Sequence, residues 1–472
     1  MRFCCIALVL LSCLNFGGSQ TAKAEQVKLD VAMGYPTMYI AEEGKKGTNH
    51  VRIALTGFEM PAAEERLPIN VAIVIDKSGS MQGDKIAQAR AAALQAIDRL
   101  RDDDIVSIVT YDSTVNVLVP ATKASDRAEI KKKIRSISPG GNTALFAGVS
   151  KGAAETRKFL DDNRVNRVIL LSDGLANVGP SSPSELRQLG ASLIKEGISV
   201  STMGLGLGYN EDLLSGLALS SSGNHVFIED AENLVGVFQN EFDDVMSVVA
   251  QKLRINAKLS EGIRPVKVLN YPADITGQKV SIDLGQLYAR QERYFVLEVE
   301  IPFGENEATA AIADVNLEYT NMLTETKDKL SSAVEVKFSN DEKLAQQSIS
   351  NDVMSCVVTQ IANCNNADAT RWRDEGNVEK AKETLLGNSF YLKRYATLLK
   401  SEKLEELSRL NESQSNLLDD KNWNLNRKAM RGLQYQQLSQ QRFDGSKKEE
   451  PKQEAKPSKP NPEANKSKSK TW

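Results

Sequence analysis

Val71-Ala72-Ile73-Val74-Ile75-Asp76-Lys77-Ser78-Gly79-Ser80-Met81 is the stretch on which the fold turns. Its apolar, mostly β-branched start reads as a strand covered on both faces, and the polar run that ends it passes into a helical rhythm from Lys85 to Leu100. Outward from there, strand and helix alternate. The strand Ile105 to Thr110, an edge-like Val115 to Val119 and a helix around Ala128 to Ile137 come first. A helix from about Leu145 to Leu160, the strand Val165 to Leu171, the helix Ser184 to Glu196 and the strand Ile198 to Met203 follow. A short helix near Asp212, the strand His225 to Ile228 and a helix to Ala250 complete the series. That spacing predicts an α/β fold with a doubly wound, mostly parallel sheet.

In an open α/β sheet, ligands bind at the carboxyl ends of the strands. Asp76, Ser78 and Ser80 stand at that edge, and their alternate spacing lets three oxygen-bearing side chains converge while Gly79 eases the backbone. Gly140-Gly141-Asn142-Thr143 presents another hydroxyl before a helix, and Leu170-Leu171-Ser172-Asp173-Gly174 ends a strand on a second carboxylate. Two carboxylates and three hydroxyls, with no soft ligand, select Mg²⁺, Mn²⁺ or Ca²⁺ over zinc or copper. The plainer alternatives are that these Ser and Asp residues cap helices, or that a metal only braces the loops.

The set resembles a von Willebrand factor type A (vWA) domain with a metal-ion-dependent adhesion site, over about Leu67 to Ala250. The family's Asp-x-Ser-x-Ser falls on Asp76, Ser78 and Ser80, its threonine on Thr143 and its second aspartate on Asp173. The resemblance implies that Ser78, Ser80 and often Thr143 touch the metal, while one or both aspartates act through water. A metal held mostly by hydroxyls stays electrophilic, so the expected partner is a protein presenting Asp or Glu. The order of vWA followed by strands is also similar to bacterial proteins labelled as calcium-activated chloride channel relatives. Among weaker candidates, Asp112 reads as a turn residue, Asn177 as a rim or turn residue, Asp102-Asp103-Asp104 as a solvated helix end, and His225 as structural.

Beyond this domain the rhythm changes. Leu253 to Leu259, Val266 to Leu269, Val280 to Leu284, Tyr294 to Ile301, Ala310 to Tyr319 and Ala333 to Phe338 are strand-like with no helices between them, which predicts a β-sandwich. Val27 to Met33 and Val51 to Thr56 are two further strands, joined by a turn at Gly44-Lys45-Lys46-Gly47, with no sheet of their own. They are expected to complete the sandwich, with the α/β domain inserted between. The chain then divides into a signal peptide (1–24), N-terminal strands (25–66), the vWA domain (67–250), the sandwich (251–340), a helical region (341–444) and a disordered tail (445–472) rich in Lys, Pro, Ser and Glu. In the helical region Leu385, Leu386, Tyr391, Leu392, Leu398 and Leu399 form a partial amphipathic stripe, expected to pack on itself or on the sandwich.

Arg2, the apolar Phe3 to Leu14 and Ala22-Lys23-Ala24 have the layout of an export signal, with an uncleaved anchor or a buried strand the first alternative and lipidation at Cys13 the second. An extracytoplasmic location follows, periplasmic, secreted or at the cell surface, with no membrane span once the signal is removed. Cys356 and Cys364 would then remain, too far apart on one straight helix for a disulfide. A formal net charge of -3 on 472 residues argues against nucleic acid. Two histidines, His50 and His225, without HExxH spacing, exclude that class of zinc peptidase and leave no base beside a metal-bound water. The chain is therefore expected to be a binding module and no enzyme. A scaffold or assembly factor of an envelope complex with a structural metal is the alternative, and a metal-dependent hydrolase a more distant one.

Overall fold

The computed structural model describes residues 26–40, 45–60 and 66–440. The export segment with Cys4, Cys5 and Cys13, the residue Gly44 and the tail from 445 onward lie outside the described residues. The chain opens with strands β1 (Lys28–Met33), β2 (Thr37–Tyr39) and β3 (Lys46–Thr56). The α/β domain follows as β4 (Ile69–Asp76), α1 (Asp84–Arg99), β5 (Ile105–Tyr111), β6 (Val115–Lys123), α2 (Arg127–Arg135) and α3 (Leu145–Arg157). It continues as β7 (Val165–Ser172), α4 (Pro183–Lys195), β8 (Ile198–Leu205), α5 (Glu211–Ser220), β9 (His225–Ile228) and α6 (Leu234–Met246).

These strands form one sheet in the order β6-β5-β4-β7-β8-β9, parallel except for the edge strand β6. Every residue of β4 is buried, and its side chains alternate between two cores as a strand's period of two requires. Ile69, Val71, Ile73 and Ile75 pack toward α1 and α6, whereas Ala72 and Val74 pack toward α3, α4 and α5. The central strands thus read as unbroken apolar runs because helices cover both faces.

The helix predicted to reach Ala250 stops at Met246, because Val248, Val249 and Ala250 are extended. They begin β10 (Val248–Leu259), followed by β11 (Arg264–Val268), β12 (Asp274–Thr276), β13 (Lys279–Tyr288), β14 (Glu292–Pro302), β15 (Thr309–Asn321) and β16 (Lys327–Ser339). Two sheets result, β1-β3-β14-β11 and β12-β13-β10-β15-β16-β2. β3 runs antiparallel to β14 from Lys46↔Pro302 to Thr56↔Glu292, so the N-terminal strands share a sheet with strands that follow the α/β domain. Lys46 and Gly47 belong to that ladder, which overturns the turn reading at these two residues. β2, too short to announce itself by periodicity, lies parallel to the end of β16.

Val51, Ile53 and Leu55 of β3 and Phe295 and Leu297 of β14 point between the two sheets. Their alternate neighbours Ala54, Tyr294 and Val296 point the other way, into a core shared with the helical region. That region comprises α7 (Glu342–Gln347), α8 (Asn351–Asp374), α9 (Val378–Leu399), α10 (Glu402–Ser415) and α11 (Asp420–Ser439). Leu385, Leu392 and Leu399 are buried, whereas Leu386 and Leu398 face solvent. Cys356 and Cys364 are both free and lie on the unbroken α8, as the rise between them demanded.

The α/β domain meets the sandwich at Arg167 of β7, which is fully buried. Its guanidinium donates to Ser201 Oγ (2.6 Å), Glu241 Oε1 (3.1 Å), Gln286 Oε1 (2.5 Å) and the Tyr288 hydroxyl (2.9 Å), so one side chain joins β8, α6 and β13.

Candidate metal centre

All five predicted site residues lie at the carboxyl ends of β4 and β7, in the turn that follows β4, or on the loop before α3. Asp76, the last residue of β4, is fully buried, and both its oxygens are engaged. The Ser78 amide donates to Oδ1 (2.9 Å) and the Ser172 hydroxyl to Oδ2 (2.9 Å). Burial pushes the Asp76 carboxyl above its ordinary range, helped by the nearby Asp173 charge and opposed by these hydrogen bonds. Ser78 and Ser80 hydroxyls are 3.0 Å apart, and Ser80 Oγ donates to Asp173 Oδ1 (2.7 Å). A single 3-10 turn, Gly79–Met81, and the left-handed Gly83 lead from this loop into α1.

Thr143 reaches the same point from the α3 side. A methyl group on Gly174 would stand 3.2 Å from Thr143 Oγ1 and 3.3 Å from Ser80 Oγ, so Gly174 lets the two hydroxyls close around it. The loops are stapled by their own backbone: Gly79 N–H donates to Gly141 C=O (3.0 Å) and Gly140 N–H to Lys77 C=O (2.7 Å). Gly141 needs its positive φ and missing Cβ, because a side chain there would strike Ser113 and Asp112.

Four further residues, passed over or weighed lightly in the sequence, hold this arrangement. Ser172 fixes Asp76. Asn177 Oδ1 accepts from the Thr143 amide (2.8 Å), and Asn177 N–H donates back to Thr143 C=O (3.2 Å). Lys85, the second residue of α1, places its ammonium 2.6 Å from Asp173 Oδ2. Asp112 makes the expected turn by accepting from Thr114 N–H (2.8 Å), and it also pairs with Lys77. Only the register of β4 against β7 and the return of each loop bring these groups together, so spacing alone gives no signal for them.

One other reading comes out differently, and His225 lies where it was expected, at the start of a strand. Asp104 is no part of a solvated helix end: it is fully buried and receives two bonds from Arg66, with the Ile69 and Arg101 amides completing its shell. His225 begins β9, is buried, and sits with Nδ1 2.9 Å from Thr202 Oγ1, remote from the five site residues in the sheet order.

Among the described residues, no three His, Cys, Asp or Glu side chains converge as a metal cluster. The donor set is instead two buried carboxylates, the hydrogen-bonded hydroxyls of Ser78 and Ser80, and the Thr143 hydroxyl beside them, with one ammonium drawn to it. Such a hard-oxygen set with excess buried negative charge fits a divalent cation of the Mg²⁺ type.

The family model of the von Willebrand factor type A domain matches residues 70–241. Residues 70–241 are a vWA domain. The protein sll0103 of Synechocystis is 29% identical over 246 residues, which cover 50% of this chain and 58% of that protein. Mouse inter-alpha-trypsin inhibitor heavy chain H3 is 27% identical over 254 residues, covering 52% of this chain and 28% of that one. The chain therefore spans little more than half of the first relative and under a third of the second. Among solved structures, a von Willebrand factor type A protein from Catenulispora acidiphila superposes with a TM-score of 0.64 at 16% identity, over 82% of this chain and 90% of that one. The ArnB paralog VWA2 from Sulfolobus acidocaldarius gives 0.60 at 18% identity, over 87% and 98%. These likenesses reach well beyond the vWA domain, so the fold of the sandwich and helices is shared as well.

Proposed function

We propose that this chain is an exported vWA binding protein that holds a divalent metal at Asp76, Ser78, Ser80, Thr143 and Asp173 and uses it to grip a partner's Asp or Glu. One observation carries the reading: Ser80 Oγ lies between Asp173 Oδ1 and Ser78 Oγ, so hydroxyls and carboxylate form one connected oxygen surface at the sheet edge. Both Asp76 oxygens are already occupied, which suits it to hold the Ser78 loop rather than to touch the ion directly. The hydroxyls of Ser78, Ser80 and Thr143 are left as neutral donors to the ion. A cation held mainly by neutral oxygens and water keeps positive charge for an incoming carboxylate, which is the chemistry the metal would supply.

The partner's acidic side chain would arrive between apolar neighbours. Leu175 and Leu207, on the loops after β7 and β8, are 59% and 45% exposed and flank the site. No reaction is proposed at this site, since neither His50 in the sandwich nor the buried His225 stands by as a general base. No helix of the described residues is long and apolar enough to cross a membrane.

Calorimetric titration of Mg²⁺ and Mn²⁺ into residues 25–472 tests the reading, with Asp173→Ala alongside. Saturable binding by the wild type that the variant loses is the expected result. Equal heats from both would sink the metal site, and partner capture that persists in chelator would sink metal-bridged recognition. The scaffold alternative draws on the charged contacts between α11 and the vWA domain; a complex that survives chelation would support it.

A further inference from the structure

The last helix of the described residues, α11, is fastened to the vWA domain, and it is fastened largely by charge. Lys428 of α11 is 1% exposed, and its ammonium donates to Tyr209 C=O (2.7 Å) and Glu211 Oε2 (2.7 Å) while lying 4.1 Å above the Tyr209 ring. Arg427 pairs with Glu211, with Asp212 Oδ2 (2.7 Å) and with Asp374 Oδ2 of α8 (2.9 Å). One turn on, Arg431 Nε lies 3.0 Å from Asp212 Oδ1, and the Tyr435 hydroxyl donates to Gly223 C=O (2.5 Å). The apolar residues of the same helix go elsewhere: Met430 and Leu433 join cores of the helical region. The contact is dominated by ion pairs, with the buried Tyr435 ring set edge-on to His225 at 5.5 Å, and buried charge pairs of this kind contribute specificity more than adhesion.

What α11 holds is the loop from Gly206 to Asn210, which borders the metal centre. A methyl group on Gly208 would come within 2.8 Å of Asp173 C=O, and one on Gly206 within 3.7 Å of Lys85 Nζ. Tyr209 lies flat against Gly204, where a Cβ would collide with the ring, and Gly204 is the sheet partner of Ser172. The residue before the carbonyl that Lys428 grips therefore lies against Asp173 C=O, and the Tyr209 ring covers the strand residue paired with Ser172.

We propose that α11 is a clasp that holds the loop at Gly206–Asn210 against Asp173, so that metal affinity at the vWA site depends on docking of the helical region. The proposal rests on the metal reading above and adds its regulation: a ligand that pulls α11 away loosens the site, and a bound metal tightens the clasp by the reciprocity of linked equilibria. The full chain is compared with Lys428→Met and with the paired Glu211→Gln/Lys428→Met, which removes both buried charges and leaves neither unpartnered. Circular dichroism melts establish that each variant is folded.

Two readouts follow, hydrogen exchange at the amides of residues 206–210 and calorimetric titration of Mg²⁺. Both variants are expected to exchange faster in that loop and to bind Mg²⁺ about tenfold more weakly, within the usual range of coupling between sites. Unchanged exchange overturns the clasp, and faster exchange with affinity within twofold of wild type overturns its coupling to the metal alone. A wild-type chain that binds neither Mg²⁺ nor Mn²⁺ overturns the metal reading and this regulation with it.

Discussion

Gly174 shows how tightly the metal centre is drawn at the scale of single atoms. It follows Asp173 and leaves 3.2 and 3.3 Å between its missing Cβ and the hydroxyls of Thr143 and Ser80. Gly174→Ala should push these hydroxyls apart by a few tenths of an ångström, weakening Mg²⁺ binding several-fold in calorimetry. The overpacking itself costs about 1 kcal/mol, so the melting curve should move little. That Asp76, Ser78, Ser80, Thr143 and Asp173 converge at one sheet edge was legible in the sequence, because they fall at strand ends and before a helix in the right order. Ser172, Asn177 and Lys85 were not, since their roles depend on partners 96, 34 and 88 residues away in the chain.

Elements were read well where one period ran unbroken, and poorly where two met. β4, α1, β5 and β7 agree with their apolar patterns to within a residue or two. The junction of α6 and β10 was misread because Val245, Val248 and Val249 satisfy a helical and an extended pattern alike, and only pairing with β13 decides between them. Asp104 was misread for a similar reason. Two neighbouring aspartates are exposed, and nothing local says that the third turns inward to Arg66.

Burial opposes the charge on Asp104, yet the Arg66 hydrogen bonds and the amides of Ile69 and Arg101 hold its carboxyl below the ordinary range. Its stabilisation is therefore complete above the unfolded carboxylate range and is lost as pH falls through the lower native value. Asp104→Asn strands the Arg66 charge and should cost about 3–5 kcal/mol at neutral pH. Urea melts should register that loss, with a shallower acid limb than the wild type shows.

On the scale of the whole molecule, the vWA domain is joined to its neighbours by buried charged and polar side chains that sequence periodicity treats as surface. Arg167, Glu241 and Asp244 lie between the vWA domain and the sandwich, and the Asn224 amide donates to both carboxylates at 2.9 Å. Burial, with the neighbouring Glu241, raises the Asp244 carboxyl to about 7 against the pull of Arg167. Between about pH 4 and pH 7 the native chain holds a proton that the unfolded chain has released, so this group's contribution to stability falls as pH rises through that window. Asp244→Asn should be more stable than wild type at pH 8 by about 4 kcal/mol, the gap closing toward pH 4. Burial lowers His225 to about 4 and gives an opposite slope below 6.5, which cancels when the two proteins are compared at each pH. A gap that does not vary with pH would refute the assignment to Asp244.

The pairing of β3 with β14 sets a timetable for synthesis. Arg52 and Glu292 meet across the finished sheet but are 240 residues apart in the chain. At about 5–20 residues per second, the N-terminal strands leave the ribosome roughly 10–50 s before their partner exists. A hairpin of β1 and β3 alone is marginal in water. For that interval it exposes Val51, Ile53 and Leu55 and an open strand edge, while the vWA domain, contiguous in sequence, can already close its own sheet. A nascent chain of this design invites a holding chaperone at its first sixty or so residues until the strand carrying Glu292 emerges.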